Sequence, residues 1–481
     1  MNRHLCAAAL AMGLATGASG QWSTDPQKNA AVAETPGGAQ IQPQIAPAAD
    51  GQWWISWFGR QAPAASQGAA RGAPHGYGMY LQRLGADGQG HFAPPGLEVA
   101  GLGLDWIEKH GLAVDGQGHA LLAFQDDRKA APARAITATR IDSEGQASWT
   151  ALAADTGHAP QIAALPGAQA VVGWSAGAEL AVHLRLLDAA GQPVWRSATG
   201  AAQDVVLGEP GANYALADLQ AAADGAVIVS FVRSRDFSGP RHLYANKISA
   251  HGELLWGPNH VKVFDGGTLQ HGAWPRFVPD DSGGAVFAWA SVAPRMQVYA
   301  QHVQANGQPA FAPGGVAVST DLKQARVQPS VSWQADSGEI TLFWIELDSA
   351  ARQHLRGLYA QKIDARGARQ WGETGLVLHP LGRDGVTDPR STALADGTLV
   401  FWMNHAPTGQ TTSIQGIKLD ATGAPLCAQF AVSTRATAKS RLASATAPAG
   451  QTLLAWEEHG LNADATIYTQ GVRPDCQLGG Q

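Results

Sequence analysis

After its first twenty residues the chain is a succession of short apolar runs bounded by turn residues, with no sustained helical period. One stretch shows the unit, LYAQKIDARGARQWG at Leu358–Gly372. Apolar and polar residues alternate from Leu358 through Ala360 to Lys362, which predicts a strand. The strand ends in an Asp-x-x-Gly turn, Asp364 to Gly367, and Trp371 opens the next strand four residues later. The same order recurs as RIDSEGQASW at 140–149, RLLDAAGQPVW at 185–195 and KISAHGELLW at 247–256, with weaker copies at 82–92, 301–311 and 417–427.

Aligning these copies predicts four strands per repeat. The second is an apolar run closing on an aromatic, at Trp57, Phe124, Trp174, Phe231, Trp289, Trp344, Trp402 and Trp456. These eight positions lie roughly 50 to 67 residues apart, a spacing suited to propeller blades. Runs this short, bounded by Gly and Asp, are strands buried on both faces. The first strand of a repeat often begins at proline (Pro43, Pro160, Pro275, Pro329, Pro389), where the missing N–H costs nothing. The eighth repeat stops after its third strand, TIYTQGV, while the segment from Trp22 to Ala33 reads like a spare fourth. An all-β, eight-bladed β-propeller of four-stranded antiparallel blades follows, its ring closed by the N-terminal strand. The expected division is 21–34 for the closing strand, then blades at 39–101, 102–155, 156–204, 205–265, 266–319, 320–379, 380–434 and 435–481.

Composition agrees with many strands joined by tight turns: 57 Gly and 27 Pro among 481 residues, and only 15% charged. The net charge of −6 is spread along the chain without a basic block, which argues against a nucleic-acid partner. Residues 1–20 read as a secretory signal, with Arg3 and His4 before an apolar core and Ala18-Ser19-Gly20 as the cleavage site. No later run approaches the roughly 20 apolar residues of a membrane helix. The expectation is a secreted or periplasmic protein. Removal of the signal leaves Cys427 and Cys476, a pair suited to a disulfide in an oxidising compartment. In the alignment Cys427 holds an aromatic position that opens a fourth strand, and Cys476 a turn-glycine position of the next blade.

The Asp-x-x-Gly-x-x-x-Trp signature has a structural explanation first. Asp142, Asp188, Asp364 and Asp420 would accept turn N–H groups, and the aromatic would pack between blades. The signature resembles two propeller families. Eight-bladed quinoprotein dehydrogenases carry a similar docking motif with one more residue between Asp and Gly, and sialidase-type propellers carry a tighter Asp box. The first resemblance would imply a quinone with calcium, the second an arginine triad with a Tyr/Glu pair. Neither constellation is legible here, and no cofactor or metal is expected. The repeat as a whole is most similar to exported bacterial propeller proteins with YAQ…DxxGxxxW repeats.

In such a ring, ligands meet the face opposite the Asp–Gly turns. Residues flanking each first-strand proline should look into the channel mouth by period-two alternation: Gln44, Gly111, Gln161, Asp218, Arg276, Ser330, Arg390 and Ala443 on one side, Gln42, Lys109, Ala159, Leu216, Trp274, Gln328, Asp388 and Arg441 on the other. The candidate ligand-binding set is Gln44, Gln161, Asp218, Trp274, Arg276, Asp388, Arg390 and Arg441. Guanidinium groups beside an indole suit a carboxylate- or sugar-bearing ligand; the plain alternative is a solvated channel with internal salt bridges. Loop carboxylates Glu346, Asp348, Glu457 and Glu458 could serve a glycosidase, and His405 and His459 could form a metal pair, without spacing that selects either. The low-complexity stretch Phe58–Gly78 reads as a surface loop or flap. The leading expectation is a recognition module for an extracellular or envelope protein or glycan; the alternative is a secreted glycoside hydrolase or polysaccharide lyase at the channel mouth.

Overall fold

The computed structural model describes residues 22–33, 38–48, 51–60, 76–105, 107–128, 134–236, 238–293, 295–350, 354–460 and 465–480. The expected signal segment and most of the Phe58–Gly78 stretch lie outside these residues, although the strands Trp53–Arg60 and Tyr77–Leu84 reach into both ends of the latter.

The chain is all-β and propeller-like, built from antiparallel sheets of four strands met in sequence order. In one of them Ala325–Gln334, Glu339–Leu347, Arg356–Ile363 and Leu376–Gly382 pair in turn. Six sheets are separate, and the seventh joins two four-stranded halves through a single parallel bridge, Ala39 to Ala465. One half runs Ala39–Pro47, Trp53–Arg60, Tyr77–Leu84 and Leu97–Leu104. The other runs Ala438–Thr446, Thr452–His459 and Ala465–Val472, and its fourth strand is Ala30–Ala33, with Ala30 opposite Thr469. First strands of successive sheets touch one another, and Ala438–Thr446 touches Ala39–Pro47. Two fourth strands, Leu97–Leu104 and Val205–Leu207, run past the boundaries expected at 101/102 and 204/205.

The repeat motif has a physical account at each position. The second-strand aromatics are fully buried between sheets, Trp57, Trp289, Trp344, Trp402 and Trp456 among them. The Gln of YAQ ties the third strand to the opening of the fourth. Gln361 accepts from Trp371 N–H at 2.9 Å and Lys362 N–H at 3.1 Å, and donates to Val318 and Gly372 carbonyls. Asp364 Oδ1 accepts the N–H groups of Arg366 and Ala368 at 2.9 and 2.8 Å, and Asp142, Asp188 and Asp420 do the same in their turns. The turn glycine has positive φ and lies against the aromatic of the preceding sheet: Gly145 against Phe92, Gly191 against Trp149, Gly252 against Trp195, Gly307 against Trp256, Gly367 against Phe311 and Gly423 against Trp371. A Cβ at most of these glycines would run into the ring.

Two further junctions use the same two positions. Trp22 lies against Gly88, and its indole N–H donates to Ala86 O at 2.9 Å, as Trp195 donates to Ala250 O and Trp256 to Ala305 O. At the remaining junction Cys427 and Cys476 form a disulfide. Cys476 has φ of 68°, the backbone that glycine supplies in the other turns.

Candidate functional site at the channel mouth

First strands enter the sheets through a repeated irregularity. Gln42, Ala159, Gln328, Asp388 and Arg441 adopt φ between 48° and 57°, and each pairing ladder slips by one residue there. Thr387 faces Met403 while Arg390 faces Phe401, so two residues oppose one, the count of a β-bulge. Left-handed backbone in residues other than glycine costs about 1–3 kcal/mol each and gathers at functional rims. The bulge also corrects the expectation of strict alternation: the Gln42 and Gln328 side chains reach sideways to the next sheet. Asp388 N–H donates to Gln328 Oε1 at 3.3 Å, and Gln42 sends its N–H to Glu457 Oε1 at 2.7 Å and its amide to Ile107 O. Leu216 does not face the channel at all; it is buried in an apolar cluster.

A cavity of about 430 Å³ is bounded by the first strands of the first four sheets and by Arg276 of the fifth. Of the candidate set it brings together Gln44, Gln161, Asp218 and Arg276, and it adds Lys109. Gln161 is fixed to the neighbouring strand, its amide donating to Ala217 O at 2.9 Å and accepting from Leu219 N–H at 3.1 Å. Asp218 is buried and accepts Phe277 N–H at 3.2 Å. Arg276 is exposed and has no ion pair or hydrogen bond among the described residues.

The fifth sheet departs from the others where Trp274 and Arg276 stand. Its first strand is split into Thr268–Leu269 and Phe277–Pro279, both paired to Ala285–Ala293, so the two residues sit in a break rather than in a strand. Two cations meet the Trp274 ring: Lys109 Nζ lies 5.4 Å from its centroid, and the Arg241 guanidinium 5.1 Å. Arg241 Nε and Nη2 are buried with no hydrogen-bond partner, and burial lowers its pKa. Burial, and then the charge of Arg276, bring Lys109 down to about 8, with Asp218 and Glu108 pulling the other way. Lys109 and Arg241 therefore meet on one indole, with Arg276 close enough for its charge to act on Lys109, and none of the three has a carboxylate in salt-bridge contact among the described residues. Sequence reasoning missed Arg241, which lies at the start of a third strand thirty-three residues before Trp274.

The other candidates are spent on the wall. Arg390 donates to Leu442 O at 2.8 Å and Pro389 O at 2.9 Å and stands 3.9 Å from Asp388; burial lowers its pKa, with Arg276 adding to that. Arg441 pairs with Glu457 at 3.1 Å. The carboxylates expected in loops are similarly occupied, and Glu346, Glu457 and Glu458 lie within second strands, Glu339–Leu347 and Thr452–His459, not in loops. Glu346 is buried between Arg326 at 2.8 Å and the Trp344 indole N–H at 2.7 Å, and Glu458 accepts from Arg435 at 2.7 Å. Burial raises the Glu346 pKa despite Arg326. His405 is held by the hydroxyls of Thr387 and Thr412, and His459 by Ser440 and Glu457. No group of metal-ligating side chains is present among the described residues.

No protein-family model matches the chain, and no curated protein matches it. Among solved structures, a protein of unknown function from Dyadobacter fermentans is 10% identical, with 94% of this chain and 98% of that chain covered and a TM-score of 0.43. A polysaccharide lyase, an ulvan lyase, is 12% identical over 83% of this chain and 97% of its own, with a TM-score of 0.46. Prolyl oligopeptidase B from Galerina marginata is 10% identical with a TM-score of 0.45, and the alignment spans 88% of this chain but only 55% of that enzyme.

Proposed function

We propose that the chain is an exported eight-bladed β-propeller, closed by its N-terminal strand, that recognises an acidic extracellular or envelope glycan or protein at the mouth of its channel. Support for the ring comes from the pairing of Ala30–Ala33 with the last sheet, from first strands that touch in order and return to the start, and from Trp22 on Gly88. Export rests on the reading of residues 1–20, and the Cys427–Cys476 bond fits an oxidising compartment.

The observation that carries the binding site is the unpaired cationic group around Trp274. Nε and Nη2 of Arg241, buried without a partner, are costly unless an anion supplies one. A carboxylate entering the break would meet Arg276 from the channel side and Lys109 beside it, next to the half-buried Trp274. Binding of polygalacturonate oligosaccharides, measured by calorimetry against neutral dextran, tests this. Arg276→Ala should weaken polygalacturonate binding about tenfold or more, since charge-assisted hydrogen bonds contribute about 1.5–3 kcal/mol. Equal affinity for dextran, or binding unchanged in Arg276→Ala, would reject the site.

A second reading is favoured by Lys109 alone. An amine with pKa about 8 can accept a proton near neutral pH, and a guanidinium on a uronate carboxylate would acidify the neighbouring C–H, as a polysaccharide lyase requires. Ultraviolet absorbance from an unsaturated product on incubation with polygalacturonate would establish this reading over simple recognition.

A further inference from the structure

Buried lysines elsewhere in the chain have partners. Lys247, Lys362 and Lys418 meet Asp224, Glu339 and Asp396 at 2.6, 3.0 and 2.6 Å. Lys439 Nζ donates to the carbonyls of Thr412 and Arg435 at 2.8 and 2.7 Å. Lys109 departs from this rule. It is half-buried, and its Nζ has no ion pair or hydrogen bond among the described residues. Its neighbours are instead the Trp274 ring, with the centroid 5.4 Å away, and Arg276, whose charge acts on it.

An ammonium that had only to hold an anion would be better left fully charged. Burial and then the neighbouring guanidinium work against that charge and bring the group down to about 8. About a tenth of it is then neutral amine at pH 7, against roughly a few parts in ten thousand for an ordinary lysine. A desolvated lysine beside a second cation is the form of this residue that attacks carbonyl carbon.

The cavity supplies the rest. Lys109 and Arg276 both border its volume of about 430 Å³, with Asp218, Gln44, Gln161 and Gln220. Arg276 is exposed and has no ion pair or hydrogen bond among the described residues, so an entering carboxylate can reach it. A small molecule carrying both a carbonyl and a carboxylate would meet a nucleophile from one sheet and a guanidinium from another.

We propose that the channel mouth is a covalent site for a small 2-oxo acid, with Lys109 as the imine-forming amine and Arg276 as the partner of the carboxylate. Nζ adds through its lone pair to the ketone carbon, and the carbonyl π pair moves to oxygen, which takes up a proton to give the carbinolamine. The hydroxyl leaves as water while the nitrogen lone pair closes the C=N bond. Counted from the charged lysine, one ammonium and one ketone become one iminium and one water, with no oxidant or reductant. The iminium keeps the positive charge at Nζ, so the Trp274 ring favours it as it favours the ammonium. This chemistry goes beyond recognition of an acidic glycan and does not depend on it.

The test incubates the intact protein with pyruvate and sodium cyanoborohydride, which reduces the iminium to a stable secondary amine, and maps the adduct by peptide mass spectrometry. One adduct should appear at Lys109 ahead of the exposed Lys28 and Lys262, each of which lies beside a carboxylate. Lys109→Arg should abolish it. In Arg276→Gln the pyruvate concentration for half-maximal trapping should rise about tenfold or more. Acetone, a ketone without a carboxylate, should label Lys109 weakly and equally in both proteins. An adduct spread over exposed lysines, none at Lys109, or trapping at Lys109 that Arg276→Gln leaves unchanged would each overturn the proposal. If a variant does not fold, equal trapping of pyruvate and acetone by the unaltered protein overturns it. Labelling at Lys109 in a protein that does not bind polygalacturonate would still support it, so this proposal and the glycan reading fail separately.

Discussion

The proposed closure of the ring turns on one side chain that sequence pattern alone nominates. Trp22 is 4% exposed, packs over Gly88 and donates its indole N–H to Ala86 O. Replacing it with alanine removes a buried indole, worth about 3–5 kcal/mol when lost from a packed interior. It also leaves a carbonyl to water or to a void, adding up to about 1 kcal/mol. Trp195 is the control: it is 8% exposed, sits over Gly252 at an internal junction and donates to Ala250 O at the same 2.9 Å. If the N-terminal strand completes the wheel, Trp22→Ala and Trp195→Ala should lower stability by similar amounts, read as matching shifts of the urea midpoint followed by tryptophan fluorescence and by far-ultraviolet circular dichroism. Destabilisation should also be cooperative, because opening one junction frees the edges of both flanking sheets. A Trp22→Ala loss under about 1 kcal/mol beside a full loss in Trp195→Ala would mean that the segment merely rests on a ring closed by other means, and the argument for closure would fail.

Two further outcomes follow from the covalent bond and from the buried amine. The Cys427–Cys476 bond closes a loop with a sequence separation of 49, which the chain-entropy relation converts to about 4 kcal/mol; reduction should lower the unfolding midpoint accordingly and add two hydrogens in intact-mass analysis, and an unchanged mass would show that the bond does not form. Lys109 is brought from 10.5 to about 8 in the folded chain. Below about pH 8 both states hold the proton and the fold bears the cost of a desolvated ammonium; between about 8 and 10.5 only the unfolded chain keeps it, so this group makes stability rise with pH. Lys109→Met should therefore be the more stable protein at pH 7, by about 3 kcal/mol at most, with the gap narrowing toward pH 10; a gap independent of pH would show that the amine titrates normally.

What the sequence discloses and what it conceals divide along the difference between repeated and unrepeated positions. Trp22, Cys427 and Cys476 were legible because each occupies a slot that six other junctions fill with an aromatic on a glycine, so alignment alone fixes their neighbours. The Asp of the turn yields to the same reasoning, since the N–H groups it accepts lie two and four residues on. The channel mouth does not. Its bulges push Gln42, Asp388 and Arg441 out of period-two alternation, and Leu216 belongs to the core. Arg390 and Arg441, which pattern places beside Arg276, are bound to carbonyls and to Glu457, whereas Lys109 and Arg241 gather on Trp274 from two other sheets. That convergence arises because the fifth first strand is broken between Leu269 and Phe277, at a place where Gly272 and Pro275 are the local marks in the chain. Departures from the repeat are therefore the informative positions: a break where a strand belongs gathers the cations on Trp274. Regular four-stranded sheets supply the frame, and ligands are expected where the repeat is locally suspended.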